Sequence, residues 1–559
     1  MPHTSPPAQP STLADATVSE LSQADALRKA GQWADACCLY QTVQAQQPNH
    51  AVVAHNLALC HLALGQVEPA VEQSRRAVQL QPTLWQSALV WAKALVLRND
   101  KPLALALLRR LHAQWPDNAD IRHELATLTL HVVGDAVQAR ALVRPLLGTP
   151  QHGRDAEITT LVSLLYDREP NVPAQRINQA FLDFGAQRLP LNAAAQSSVQ
   201  TALQSDTVAV RPATVRPRRK VGLLSPQFFA SPVYFFAIGA LRELAGAVDL
   251  VVFNRGQKSD WATEAFRSIA TDWYDVASQP AEVLAHTLAR HQLDALIDLG
   301  GWMDPVALSA LSAKPARKLY KWVGGQSVTT GLRSFDGFLT DDYQTPLGSD
   351  PLYSEPLVRL KAGYVTYTPP PYLPPAQQRP VDATDVVLGV IANPAKVSRA
   401  FLADLAQRHH VWQQQGHLVR LCCVDYRYQH PEVRQRIERG LPGVEVEFVA
   451  PANHREYLST VAQLDATLDT WPYSGGLTTI EALALGVPSH TRFGELFCER
   501  HTQAHCHYAG MQLSDYRIDD FNGWPQVPRN GHSLLRAGSP RVNHTALAAE
   551  LLALLETPA

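Results

Sequence analysis

Asp469-Thr-Trp-Pro-Tyr-Ser-Gly-Gly-Leu-Thr-Thr-Ile-Glu-Ala-Leu-Ala-Leu-Gly-Val-Pro488 is the stretch on which the reading of this chain turns. The strand-like Ala466-Thr-Leu468 runs into a Pro/Ser/Gly turn, and a helix opens at Thr478-Thr479 with Glu481 in its first turn. Hydroxyls and free backbone N–H groups at a helix start, reinforced by the helix dipole, favour an anion. An acidic residue one turn in reaches the hydroxyls of a ribose whose phosphate is anchored there, as in dinucleotide folds. The layout suits a nucleoside diphosphate better than a free metal or a peptide. Taken alone, it also fits a plain strand-to-helix connection of an α/β domain.

The flanking texture is α/β. Val386-Val-Leu-Gly-Val-Ile391, Leu418-Val-Arg-Leu-Cys-Cys-Val424 and Val444-Glu-Val-Glu-Phe448 are short apolar runs of strand type, and an amphipathic helix over 546–555 closes the chain. An earlier set starts at Lys220, with Val221-Gly-Leu-Leu224, Val248-Asp-Leu-Val-Val-Phe253, Ala295-Leu-Ile-Asp-Leu299 and Gly337-Phe-Leu-Thr340 separated by helical stretches such as 281–291. Such alternation predicts parallel sheets with helices on both faces. The Pro-rich segment 366–385, with Pro369-Pro-Pro371 and Pro374-Pro375, reads as the linker between the two sets. Two Rossmann-like domains are therefore expected, at 219–368 and 386–559, with ligand in the cleft between the carboxyl ends of their strands.

Upstream, Pro48, Pro82, Pro116 and Pro150 recur every 34 residues. That is the tetratricopeptide period, in which two antiparallel helices form a unit and proline closes the second. Gly31 and Gly65 fall in the inter-helix turns, Ala36, Ala70 and Ala104 fall where helices cross, and Tyr40 and Ala77 fill second-helix sites. The fourth unit is out of phase by one residue at Gly134 and Ala139. Residues 1–16 are expected to be disordered, 17–150 to form the repeats and 151–210 to be a helical bridge. The run Arg211-Pro-Ala-Thr-Val-Arg-Pro-Arg-Arg-Lys220 reads as a solvated connector. Stacked repeats present a concave face to extended peptide, or merely support the next domain.

Bulk properties narrow the class. A chain of 559 residues exceeds one core, and 46% hydrophobic with 18% charged residues is ordinary for a globular protein. A net charge of −2 argues against a dedicated nucleic-acid or membrane-surface binder. No apolar run reaches the ~18–20 residues of a membrane span, and residues 1–13 are polar rather than a signal peptide. Seven irregularly spaced cysteines read as reduced thiols, so a cytoplasmic location is expected.

These features together resemble the tetratricopeptide-bearing protein O-GlcNAc transferase (SPINDLY-type) family, whose catalytic region is a GT-B pair of Rossmann-like domains. In the first half the resemblance rests on Gly301-Trp302, Lys314-Pro-Ala316, Trp322-Val-Gly324, Thr330-Gly331, Thr340-Asp341 and Tyr353-Ser-Glu355, in family order. In the second it rests on Asn393-Pro-Ala-Lys396, on Asp469-Thr470, Gly476, Thr478-Thr479 and Glu481, and on Gly494-Glu495 with Arg500. It implies that Lys396 neutralises the leaving diphosphate of a UDP-sugar, a purely electrostatic task. Thr478 and Thr479 are then expected on phosphate oxygens, Glu481 on the ribose and Asn393 near the phosphates and uracil. The Ser474 hydroxyl and the backbone of Gly475-Gly476 are expected along the sugar phosphate. No metal or other cofactor is implied.

Three departures bear on chemistry. In Ser225-Pro-Gln-Phe-Phe-Ala-Ser-Pro232, Ser231 stands where the family carries a histidine and Gln227 where it carries an aspartate. Leu477 replaces a histidine before the Thr-Thr pair, and Ser474 replaces a cysteine. A neutral hydroxyl is no base near pH 7, which leaves a different base or the departing α-phosphate as proton acceptor; His291 and Asp294, just before the strand leading to Gly301, are the candidate catalytic bases, against a plain helix-end role. Cys498, His501, His505, Cys506 and His507 read as a helix flank rather than a zinc site, for want of distant paired ligands.

The expected partners are thus a UDP-sugar and a protein or peptide acceptor along the repeats, with no nucleic acid, no membrane span and a homodimer as an option. The leading expectation is an inverting, metal-independent transfer of GlcNAc to Ser or Thr. Two alternatives stay open: an N-glucosyltransferase-type or glycan- or lipid-directed transferase, and a degenerate UDP-sugar-binding scaffold.

Overall fold

Ala36, Ala70 and Ala104 are each fully buried where paired helices cross. A side chain of one methyl lets two backbones approach closely, and recurrence of that methyl builds a stack. The computed structural model describes residues 11–168, 172–204, 218–378, 385–518 and 531–557. The chain divides into two units, Met1–Thr160 and Leu161–Ala559.

The first unit is a helical tetratricopeptide solenoid. Its paired helices are Ser11–Lys29 with Trp33–Gln46, Ala51–Ala63 with Val67–Leu80, Trp85–Leu97 with Lys101–Gln114, and Ala119–Leu128 with Ala136–Val143. The turns within the pairs need one residue in the left-handed region, supplied by Gly31, Gly65 and Gly134 and, in the third unit, by Asn99 at φ 67°. Asparagine tolerates that region better than other side chains. The phase slip at Gly134 has a local cause: a π-helical turn at Thr129–Val133 absorbs one additional residue.

Residues 1–10 of the segment expected to be disordered lie outside the described residues. Its remainder is corrected, because the first helix already starts at Ser11. Leu13, Ala14 and Ala16 favour helix intrinsically, and the helix is held further along, where Ala24 shares a buried cluster with Ala36 and Tyr40.

The second unit contains two all-parallel sheets. The first takes β1 (Lys220–Ser225), β2 (Asp249–Asn254), β3 (Asp272–Asp275), β4 (Ala295–Asp298), β5 (Lys318–Lys321), β6 (Gly337–Thr340) and β7 (Leu357–Arg359), in the order β3-β2-β1-β4-β5-β6-β7. The second takes β8 (Asp385–Val390), β9 (Leu418–Val424), β10 (Val446–Val449), β11 (Ala466–Leu468) and β12 (Ser489–His490), in the order β10-β9-β8-β11-β12. Strand order therefore reverses between β1 and β4 and again between β8 and β11. Loops leaving the carboxyl ends of such strands diverge and open a crevice for ligand.

Two expected boundaries move. The closing helix His544–Glu556 does not belong to the second sheet's layer. It buries Leu547, Leu551 and Leu555 against Pro232–Ala245 of the first half. Gly239 permits this, since a Cβ there would lie 2.3 Å from Nδ1 of His544. The helices Ala174–Arg188 and Ala193–Gln204, expected as part of a bridge, pack on the first sheet's loops. Phe181 meets Trp302 edge-on with centroids 4.9 Å apart, and a Cβ on Gly185 would sit 2.3 Å from the Thr330 carbonyl. Most of the Arg211–Lys220 connector, and 379–384 of the linker, lie outside the described residues. Among the described residues no helix is long and apolar enough to cross a membrane.

Candidate functional site

The loops after β8 and β11 meet at the second sheet's reversal point, and they carry most of the expected residues. After β8, the Asn393 side chain accepts from Ala395 N at 3.0 Å. It thereby caps the short turn Pro394–Lys396. Arg436 clamps that turn by donating to the carbonyls of Val397 at 2.8 Å and Pro394 at 2.5 Å. So fixed, Lys396 projects across to the other loop. Its Nζ donates to the Ser474 carbonyl at 2.9 Å and lies 4.3 Å from the centre of the Tyr473 ring. Burial lowers its pKa to about 8, against the opposing pull of the Asp469 carboxylate.

The turn after β11 is organised from beneath by Asp469. One carboxylate oxygen accepts from Ser474 Oγ at 2.6 Å and Thr491 Oγ1 at 2.8 Å, the other from Gly475 N at 2.6 Å. Burial raises the Asp469 pKa, and these same hydrogen bonds counter it. Gly475 has no room for a side chain, since its Cβ would lie 2.6 Å from Thr479 Oγ1. The helix Leu477–Ala484 then starts at Gly476 with no side chain capping it. That start comes two residues after Ser474, whose carbonyl meets Lys396, a pairing of cation and dipole suited to a diphosphate.

The described structure sorts the expected residues. Lys396, Ser474, Gly475, Gly476, Thr478 and Thr479 come together, with Asn393 at the base of the lysine turn. The Ser474 hydroxyl does not face outward as expected: it is buried, donates to Asp469 and accepts from Thr502 N at 2.9 Å. Its carbonyl is what meets the lysine. Thr479 also turns inward, its hydroxyl 2.7 Å from that of Thr502 and 3.2 Å from the Gly475 carbonyl, whereas Thr478 stays partly exposed in the first turn. Glu481 is 1% exposed, and its carboxylate pairs with His454 Nε2 at 2.8 Å. Burial raises its pKa and His454 holds it back.

His291 and Asp294 are not part of this site. Asp294 precedes β4 and accepts from the backbone N–H of Lys220, the first residue of β1, at 2.9 Å. His291 packs its ring on Tyr274 and Phe253 at the same edge. Both therefore sit at the amino ends of parallel strands, whereas the loops that meet Lys396 leave the carboxyl ends. Nor is Ser231 free as a base: it starts the helix Pro232–Ala245 and donates to the Gln227 carbonyl at 2.9 Å.

The Gly494-Glu495 and Arg500 pattern has an architectural task. Arg500 donates to the carbonyls of Tyr343 and Gly494, both at 2.7 Å, which ties the two halves together. Among the described residues no group of three or more His, Cys, Asp or Glu is arranged to hold a metal. Burial pushes His501 down to about 3, so it is a neutral imidazole at physiological pH.

Three contributors carry little signal of their own in the sequence. The three inward hydrogen bonds of Asp469 have no sequence signature. His454 lies 27 residues before its partner Glu481, and Tyr473, whose hydroxyl is 2.8 Å from Ser327 Oγ of the first half, looks like any turn aromatic.

No family model matches the chain. It is related in sequence to the SPINDLY-type transferases. A probable UDP-N-acetylglucosamine–peptide N-acetylglucosaminyltransferase SPINDLY of Solanum lycopersicum is 26% identical over 302 residues, 52% of this chain and 31% of the relative. The Arabidopsis thaliana protein of the same description is 26% identical over 302 residues, 52% and 32% of the respective chains. The chain thus spans about a third of the length of these curated relatives. A lysine-to-methionine mutant of the O-GlcNAc transferase of Thermobaculum terrenum has 22% identity and a TM-score of 0.62, over 98% of this chain and 95% of its own. That likeness shows a shared fold across nearly the whole chain.

Proposed function

We propose that the chain is an inverting, metal-independent glycosyltransferase that moves GlcNAc from UDP-GlcNAc to Ser or Thr hydroxyls of protein acceptors. The observation that carries this reading is the Lys396 ammonium held 2.9 Å from the Ser474 carbonyl, beside an uncapped helix start. The names borne by the sequence relatives favour UDP-GlcNAc as donor. The acceptor oxygen forms a bond to the anomeric carbon as the bond from that carbon to the β-phosphate oxygen breaks. Charge then develops on the departing UDP, where Lys396 and the N–H groups of Gly476–Thr478 meet it. With Ser231 tied to a backbone carbonyl, the acceptor proton passes to an α-phosphate oxygen of the donor. The helical unit serves as the peptide-binding surface. Intact-mass analysis of a peptide library incubated with UDP-GlcNAc and EDTA is the test. The reading expects one added GlcNAc per modified peptide over many turnovers, and fails if none forms or if a divalent metal is required.

Donor binding carries its own pH signature. A diphosphate stabilises the charged lysine, so the Lys396 pKa rises above about 8 in the complex. Above pH 8, binding therefore takes up a proton, and affinity for UDP falls about tenfold per pH unit. Below pH 8 the lysine is already charged in the free protein and its contribution is flat. Calorimetry in buffers of different ionisation enthalpy measures this uptake, and Lys396→Arg is expected to abolish it.

One observation favours a second reading, a binder of UDP-sugar without turnover: Asp294, and His291 before it, lie at the amino ends of the first sheet's strands, away from the Lys396 loops. Multiple turnovers in the mass assay exclude it.

A further inference from the structure

Glu481 is not an isolated carboxylate. His454 donates to it through Nε2 at 2.8 Å, and through Nδ1 meets the Tyr372 hydroxyl at 3.0 Å. Tyr372 belongs to the segment joining the two sheets, His454 opens the helix His454–Val461, and Glu481 lies in the helix Leu477–Ala484. Three separate stretches are thereby linked into one relay.

Its surroundings fix it from both halves. Phe235 of the first half packs on the His454 ring at 5.4 Å, and Trp261 meets Tyr372 edge-on at 6.1 Å. The Arg455 guanidinium covers Tyr372 at 5.1 Å. The same joining segment places two buried hydroxyl oxygens, on Tyr367 and Thr368, that have no hydrogen-bond partner, and Tyr367 is only 2% exposed. Burial and the nearby Glu481 carboxylate push the Tyr367 phenol upward. Unpartnered buried hydroxyls are costly unless a ligand completes them.

We propose that Tyr372 is a positioning residue for the nucleoside end of the donor: through His454 it orients Glu481 to accept from the ribose 2′- and 3′-hydroxyls. The inference rests on the donor-site reading above and deepens it. A carboxylate on a freely rotating side chain discriminates poorly between ligands that differ by a hydroxyl. One locked by a histidine, itself locked by a phenol, rejects a ribose lacking its hydroxyls because a buried acceptor is then left unpaired. Linking the lock to the joining segment also makes ribose recognition depend on how that segment is seated.

The test is calorimetric titration of UDP and of 2′,3′-dideoxy-UDP into wild type, Tyr372→Phe and His454→Gln. Wild type is expected to prefer UDP by about tenfold, the size of one charged hydrogen bond. Tyr372→Phe retains the packed ring, and its preference is expected to collapse toward one while affinity for the dideoxy ligand stays unchanged. His454→Gln can still donate to Glu481 and is expected to keep part of the preference. A Tyr372→Phe protein with the wild-type preference, or with equal losses for both ligands, overturns the relay. If wild type binds UDP but shows no preference, the relay falls and the donor site stands. If wild type binds neither ligand, both readings fall.

Discussion

Lys396→Ala is expected to slow sugar transfer about 10²–10³-fold, the loss found when one preorganised oxyanion donor is removed. The side chain ends on the Ser474 carbonyl rather than in a hydrophobic core, so the variant should keep its fold and melt close to wild type. The loss arises because charge on the departing UDP exceeds that on the bound donor, and a cation fixed beside it stabilises the transition state more than the ground state. Lys396→Arg keeps the charge but not the compact ammonium and is expected to recover part of the rate. Measuring kcat with thermal midpoints for all three proteins separates a catalytic loss from a folding one. An unchanged kcat in Lys396→Ala refutes the assigned role.

Asp469→Ala is expected to be the most damaging single change for stability. It removes the acceptor of Ser474 Oγ, Gly475 N and Thr491 Oγ1 at once, in a place where water has little access. Leaving three buried donors unsatisfied costs about 3–5 kcal/mol. The turn that presents Gly476 and Thr478 should loosen with it, so affinity for UDP is expected to vanish even in the fraction that stays folded. Asp469→Asn keeps an acceptor oxygen and should be milder. Denaturant unfolding checks both, and a loss below about 0.5 kcal/mol for Asp469→Ala means the carboxylate does not organise the turn.

The parts of this molecule that were legible in its sequence are the periodic ones. Prolines at Pro48, Pro82, Pro116 and Pro150 mark helix-pair ends because proline cannot continue a helix, and short apolar runs mark buried parallel strands because both their faces are covered. The turn from Asp469 to Glu481 was legible because glycines and hydroxyls at a helix start have few other uses. What failed was sidedness and direction. His291 and Asp294 are near β4 in sequence, but residues just before a parallel strand lie a full strand length from the loops that follow it. Ser474 lies in the turn and Thr479 in the helix that follows it, yet whether a hydroxyl faces the ligand or the scaffold depends on Asp469 and Thr502, which no spacing rule connects. The closing helix His544–Glu556 shows its apolar stripe plainly, but not which sheet will cover it.

Calorimetric titration of UDP and UDP-GlcNAc into wild type and Lys396→Ala, in EDTA, shows whether Lys396 and the turn after β11 form the donor site. Wild type is expected to bind both ligands without metal, and Lys396→Ala to bind both far more weakly. Failure of wild type to bind either ligand, or equal affinity in the variant, would contradict that assignment.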